Sequence, residues 1–222
     1  MPNEADKAFP TISKKGDWHR LIPSRFPTID LYRRVAPREH WPLAQAIESM
    51  TNPRLRSKER LTKGAAPVVE SSPKLQNWNH APYAYRNPFG SWFLDESIGV
   101  LEVSETVQGA LAVSIRKREA FLAANNMPAL DLEMRVLRHR VHGEFIDARS
   151  LPLETTLSER RKIGRPAFEA GAAGVLFRCP HRPCGDDLAI FTTEVLGRAI
   201  QAQHYKFRWD GERISEIYDF RD

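Results

Sequence analysis

A strand that runs straight into a helix between residues 98 and 122 constrains this chain more than any other stretch. Ile98-Gly99-Val100-Leu101-Glu102-Val103 places strand-forming residues on both sides of Glu102. Ser104 or Glu105 then opens a helix, in which Val107, Ala110, Leu111, Ser114, Arg118, Phe121 and Leu122 recur at helical spacing. A turn-rich entry, Asn87-Pro88-Phe89-Gly90, leads into the unit. Such a junction is a common ligand site, because the first backbone N–H groups of a helix have no intrahelical acceptor. The same pattern also serves as a plain strand–helix pair of an α+β core.

The rest of the chain is expected to pack around this unit. Residues 1–17 are polar and read as a loose tail, leaving residues 18–222 as one domain. Trp18 to Thr28 reads as an arm laid over the domain. Ile29 to Ala36 reads as a first strand closed by Pro37, and a helix is expected from about His40 to Thr51. A short charged helix covers Leu55 to Lys63, followed by a long loop, Gly64 to Pro82, near the site. Leu130 to Val141 reads as a strand, with Phe145 to Asp147 a short partner. Ser158 to Ala170 reads as a helix broken at Gly164 and Pro166, with Gly171 as its cap. Two buried strands, Gly174–Phe177 and Leu188–Phe191, flank a tight loop. A hairpin around Asp210-Gly211 joins Tyr205–Trp209 to Ile214–Tyr218. The predicted fold is α+β, a mixed sheet with flanking helices.

Charge and cysteine usage narrow the function classes. The net charge of +5 permits attraction to phosphates, but the arginines are scattered, which favours a solvated basic surface over direct nucleic-acid binding. Two cysteines make no disulfide framework and fit a reducing cytoplasm. No apolar run approaches a membrane span, and no apolar leader precedes the domain. Cys179, His181 and Cys184 lie close together but fall short of the four ligands of structural zinc, so no metal is expected. Neither a Walker loop nor a dinucleotide glycine fingerprint occurs.

Several collinear blocks carry a resemblance. They are WHRLIPSRFPTIDLYRRVA, the segment from Glu48 to Arg56, the glycine and alanine pattern from Gly90 to Ala112, RKREAFL, GAAGVLFRCPHRPCGDDLAIF and the terminal KFRWDGERI. Together they resemble the RES domain family. The resemblance implies a fold similar to ADP-ribosyltransferase toxins and a toxin paired with an Xre-type antitoxin protein. It also implies breakdown of NAD at the nicotinamide–ribose bond by hydrolysis or phosphorolysis. NAD is then a substrate, and no cofactor is expected. That chemistry needs a cation for the pyrophosphate, an aromatic wall for nicotinamide and a carboxylate beside an oxocarbenium-like ribose.

Carried onto this chain, the signature arginine matches Arg34. The signature serine falls on Cys179, and the arginine two residues later on His181. An expected arginine is Trp92, an expected tyrosine is Glu102, and the signature glutamate is Val113. The expected catalytic set is therefore Arg34, Cys179 and Glu102, with Arg34, Tyr32, Trp92 and His181 around the nucleotide. Valine can do no acid, base or electrostatic work. Two readings follow: a rebuilt site in which Glu102 or Glu105 replaces the lost carboxylate, or a silent module that binds a nucleotide or an antitoxin-type partner. Glu102 has a plainer alternative, a solvent-facing place on an edge strand. Pairing into a homodimer stays open.

Overall fold

The structure is a computed structural model that describes residues 9–24, 37–40, 42–43, 46–47, 50, 52–63, 68–69, 71–179 and 185–220. Its backbone is a mixed sheet of seven strands, ordered β1-β2-β5-β4-β3-β6-β7. Strand β1 (Thr11–Pro23) runs antiparallel to β3 (Leu130–Asp147), in register from Thr11 opposite Ile146 to Pro23 opposite Met134. The C-terminal end of β3 pairs in parallel with β4 (Gly174–Arg178), which pairs with β5 (Asp186–Ile190). β5 pairs with β2 (Leu101–Ser104), and β2 returns to β1 through His19 opposite Ser104. Five strands thus close into a hydrogen-bonded ring. A hairpin of β6 (Ile200–Trp209) and β7 (Ile214–Phe220) extends from β3.

The ring corrects the expected tail and arm, since residues 11–17 belong to the longest ladder of the sheet. Charge in TISKKGDWHRLIP hides the strand. Asp17 sits across from Arg138 and Arg140 at 3.5 and 3.4 Å, and Lys14 reaches Asp186 at 3.6 Å. Trp18 and Leu21 are buried, so the backbone ladder and two apolar anchors hold a segment whose composition looks solvated. β3 is likewise one strand and not two. His142, Gly143 and Glu144 continue the ladder opposite Lys15, Lys14 and Ser13.

Helix α1 (Pro53–Lys63) matches the expected charged helix. The expected loop over 64–82 instead holds a 3-10 turn at Pro73–Leu75 and the start of α2 (Asn77–Ala84). A buried polar hub fixes that helix. Asn79 donates to the Pro73 and Gly197 carbonyls, both at 2.9 Å, which leaves its Oδ1 to accept from His139 Nδ1 at 2.8 Å. The strand expected at 29–36 lies outside the described residues, as does half of the helix expected at 40–51, of which residues 42, 43, 46, 47 and 50 are helical.

α3 (Val107–Ala124) opens at Thr106, whose hydroxyl accepts from Gly109 N–H at 3.0 Å. Its buried Ala110 packs with Leu21, Met134, Val136 and Phe207. α4 (Leu157–Glu169) is unbroken. A capping box between Thr156 and Glu159 starts it, and Gly171, at φ +80°, ends it. There the Gly171 and Ala172 N–H groups return to the Phe168 and Ala167 carbonyls at 2.9 and 3.0 Å. Pro166 lies on its exposed face. Gly164 is a packing glycine and not a breaker, because a Cβ there would stand 2.0 Å from the Phe93 carbonyl oxygen. That close approach seats α4 on the turn carrying Trp92 and Phe93. Gly164→Ala is expected to lower unfolding free energy by roughly 1–3 kcal/mol through overpacking. Urea titration reads this directly, and an unchanged midpoint would refute it.

Candidate functional site

The β1–β2 seam, one face of α3 from Ala110 to Arg118 and the Trp92 turn line a pocket of about 100 Å³. β1 supplies Arg20, β2 supplies Glu102 and Ser104, and β5 supplies Asp187. α3 supplies Val113, Lys117 and Arg118, and the rings of Trp92 and Phe177 form part of the wall. Gly164 and Arg160 hold the Trp92 turn from behind. The buried Arg160 guanidinium lies 5.4 Å from the Trp92 ring and 5.8 Å from the Phe93 ring. It donates to the Thr155 and Pro152 carbonyls at 3.1 and 3.3 Å.

Glu102 is the anionic centre. Its Oε1 accepts from the Trp92 backbone N–H at 3.0 Å and its Oε2 from Lys117 at 2.6 Å. The Glu102 side chain is 16 % exposed, against 50 % for Lys117. Burial works to raise the Glu102 carboxyl. The Lys117 ammonium and its hydrogen bond, the Trp92 N–H and the Arg20 guanidinium outweigh it and hold Glu102 below its ordinary range, ionised at neutral pH.

Asp187 behaves in the opposite way. It is 5 % exposed, and burial lifts its carboxyl to about 6 against hydrogen bonds from the Ser104 hydroxyl and the Cys179 thiol. The Glu102 charge adds to the rise, and Lys117 opposes it. Two carboxyls in one pocket are thus pushed apart, one ionised and one titrating near neutrality.

Arg20 is half-buried, and no hydrogen bond or ion pair engages it among the described residues. Burial depresses its pKa, the Glu102 charge counters that, and Arg118 adds to the depression. Arg118 is half-buried too, with its Nε enclosed and unpartnered. Beside Arg20, His139 is driven down to about 3 by burial and then by the Arg20 and His19 charges, so it is neutral.

A profile of the RES domain family matches residues 69–210. The chain belongs to the RES domain family. An uncharacterised protein designated y4oC, from Sinorhizobium fredii (strain NBRC 101917 / NGR234), is 41% identical over 211 residues, covering 95% of this chain and 90% of that protein. A chain from the crystal structure of the M. tuberculosis MbcT–MbcA toxin–antitoxin complex aligns over 89% of both chains, at 11% identity and a TM-score of 0.49.

Within this RES protein, Glu102 and Trp92 meet directly, and the Cys179 thiol reaches the same cluster through Asp187. Arg34, Tyr32 and His181 lie outside the described residues. Val113 lines the same pocket as Glu102. β2 lies between β1 and β5, so Glu102 is no solvent-facing residue of an edge strand. Sequence reasoning missed Arg20, Lys117, Arg118 and Asp187. Lys117 had a signal, since it stands one helical turn beyond Val113. Arg20 had one too, two residues from the buried Trp18, had its segment been read as a strand. Asp187 carries no local mark.

The raised Asp187 carboxyl fixes a sign. Its contribution to stability is fully present below its ordinary value of 3.8 and is lost as pH rises through about 6. The stability of wild type minus Asp187→Asn should therefore fall over that window, by something on the order of 2–3 kcal/mol. Taking the difference removes the opposing His139 contribution, which is lost as pH falls. A flat difference curve from chemical denaturation at stepped pH would contradict the assignment.

Proposed function

We propose that this RES-family chain is a toxin-like enzyme that breaks NAD at the nicotinamide–ribose bond, with Glu102 supplying the carboxylate that Val113 lacks. One observation carries the reading. An ionised, half-enclosed Glu102 shares a pocket with Arg20, which makes no hydrogen bond or ion pair among the described residues, and with Trp92 and Phe177.

Cleavage builds positive charge on the ribose C1′ as the glycosidic bond lengthens. A fixed carboxylate inside a pocket offsets that charge without reorganising. The bonding pair leaves with nicotinamide, which departs neutral. A water or phosphate oxygen then bonds to C1′ and gives up its proton, for which Asp187 stands as an acceptor near neutral pH. Arg20 holds the pyrophosphate, and the Trp92 and Phe177 rings wall the nicotinamide side. The family resemblance adds Arg34, Tyr32, His181 and Cys179 to the proposed set, and an Xre-type antitoxin as the neutralising protein.

A second reading has its own observation. Trp92 N–H and Lys117 already engage both Glu102 oxygens, which suits a silent module that binds a nucleotide without turnover. Nicotinamide release from NAD by the purified chain separates the two. Glu102→Gln is expected to cut kcat by about 10²-fold or more, and Arg20→Ala to raise KM. Thermal stabilisation by NAD without any release would select the silent module, and neither stabilisation nor release would reject both.

A further inference from the structure

The sheet ends on β7. β6 is paired on both sides, by β3 and by β7, whereas the outer edge of β7 meets no strand among those described. Its first N–H, at Ile214, is taken by Glu119 Oε1 at 2.8 Å. From Ser215 to Phe220 every residue is exposed, and Ile217, Tyr218 and Phe220 put apolar surface at that edge. An open edge with apolar side chains is a template for another strand. β1 also has an outer side that meets β2 at the single pair His19–Ser104. Lys15, Pro10 and Pro23 guard that side, being residues of the kind that discourage further pairing. β7 carries neither lysine nor proline.

We infer that β7 is the seam of a homodimer, pairing antiparallel about a two-fold axis with β7 of a second copy, with Ile217 opposite itself. The register follows from geometry and charge. Alternate residues of an antiparallel edge turn N–H and C=O outward together, so a two-fold seam must set one residue against its own copy. Centring on Glu216 or Asp219 opposes two like carboxylates. Centring on Tyr218 sets Ile217 against Asp219 and Glu216 against Phe220. Centring on Ile217 joins two isoleucines on the α3 side of the sheet, the side of the facing Phe207. It also sets Glu216 against Tyr218 and Ser215 against Asp219, so each carboxylate meets a hydroxyl. Glu216 is compensated within its own chain too, by Arg208 at 3.7 Å and by the Tyr218 hydroxyl, which lessens the repulsion between two acidic strands. A seam of this length buries less than the roughly 1,200 Å² of stable complexes, so the dimer is reversible, with a Kd on the order of micromolar. The seam lies outside the Glu102 pocket, so the inference stands apart from the proposed activity.

Sedimentation equilibrium of the full chain over roughly 1–100 µM tests it. A monomer–dimer equilibrium is expected, and Ile217→Lys should weaken it about tenfold or more by opposing two ammonium groups. The melting temperature of the dilute variant should stay close to that of dilute wild type, because Ile217 is exposed. Ile217→Cys keeps the seam uncharged and carries the test should the lysine variant not fold. Directly opposed Cβ atoms at 217 come close enough for mild oxidation to link two chains there. Tyr218→Cys and Asp219→Cys, each displaced from its own copy along the strand, should link far less. Wild type, which keeps Cys179 and Cys184, is the baseline.

A chain that stays monomeric across that range overturns the inference and leaves β7 to a strand of a different protein. So does a dimer that Ile217→Lys leaves intact, or one that Tyr218→Cys or Asp219→Cys links as readily as Ile217→Cys. An equilibrium lost in Ile217→Lys, with linkage confined to Ile217→Cys, is the supporting result.

Discussion

The antiparallel ladder between β1 and β3 is the constraint on which the rest of the structure depends. It runs the whole length of β1, and it leaves the other edge of β1 to meet β2 at His19 and Ser104. Without that closure β2 would be an edge strand and Glu102 a solvated side chain. With it, Arg20 of β1 and Glu102 of β2 line one pocket, although they are far apart in sequence. Backbone hydrogen bonds do most of this, since only Trp18 and Leu21 of β1 are buried apolar anchors.

The pocket rearranges charge across its walls. α3 carries aliphatic Val113 where the family resemblance expects a glutamate, and presents Lys117 one turn later. β2 carries Glu102 where a tyrosine is expected. In this pocket Glu102 stands on the strand, and Lys117 and Arg118 stand on the helix. The Glu102–Lys117 pair spans them, with the Trp92 N–H completing the coordination of the carboxylate. A half-buried ion pair of this kind adds little net stability, because desolvation offsets much of the Coulomb attraction. What it provides is position: it fixes one carboxylate in the pocket, where the Glu102 charge also offsets part of the burial cost on Arg20. The Asn79–His139 hub and the carbonyl-bound Arg160 are the contrast, polar groups buried with partners that fix α2 and the Trp92 turn.

Much of the framework was legible from the residues. The strand–helix unit is observed as β2 and α3, the two apolar strands as β4 and β5, and the closing hairpin as β6 and β7. In β2, β4 and β5 the apolar residues are buried, so local and tertiary preferences coincide there, whereas β7 leaves Ile217, Tyr218 and Phe220 exposed. The misreadings have one cause. Gly164 suggested a break and turned out to be a point of close packing. The charges of residues 11–17 suggested a tail, yet those side chains are compensated across strands. His142 to Glu144 suggested a gap, and the ladder runs through it. In each case the residue's meaning lay in a partner distant in the chain.

By itself the sequence determined most element types, the α+β class and the family resemblance. Those follow from local period, composition and motif order, which act over a few residues. Only the tertiary structure decided that the ring closes through β1, that Glu102 faces the same pocket as Val113, and that Arg20 and Arg118 line it too. Strand pairing and the desolvation of a charge depend on groups brought together from opposite ends of the chain, and no short stretch of residues encodes them.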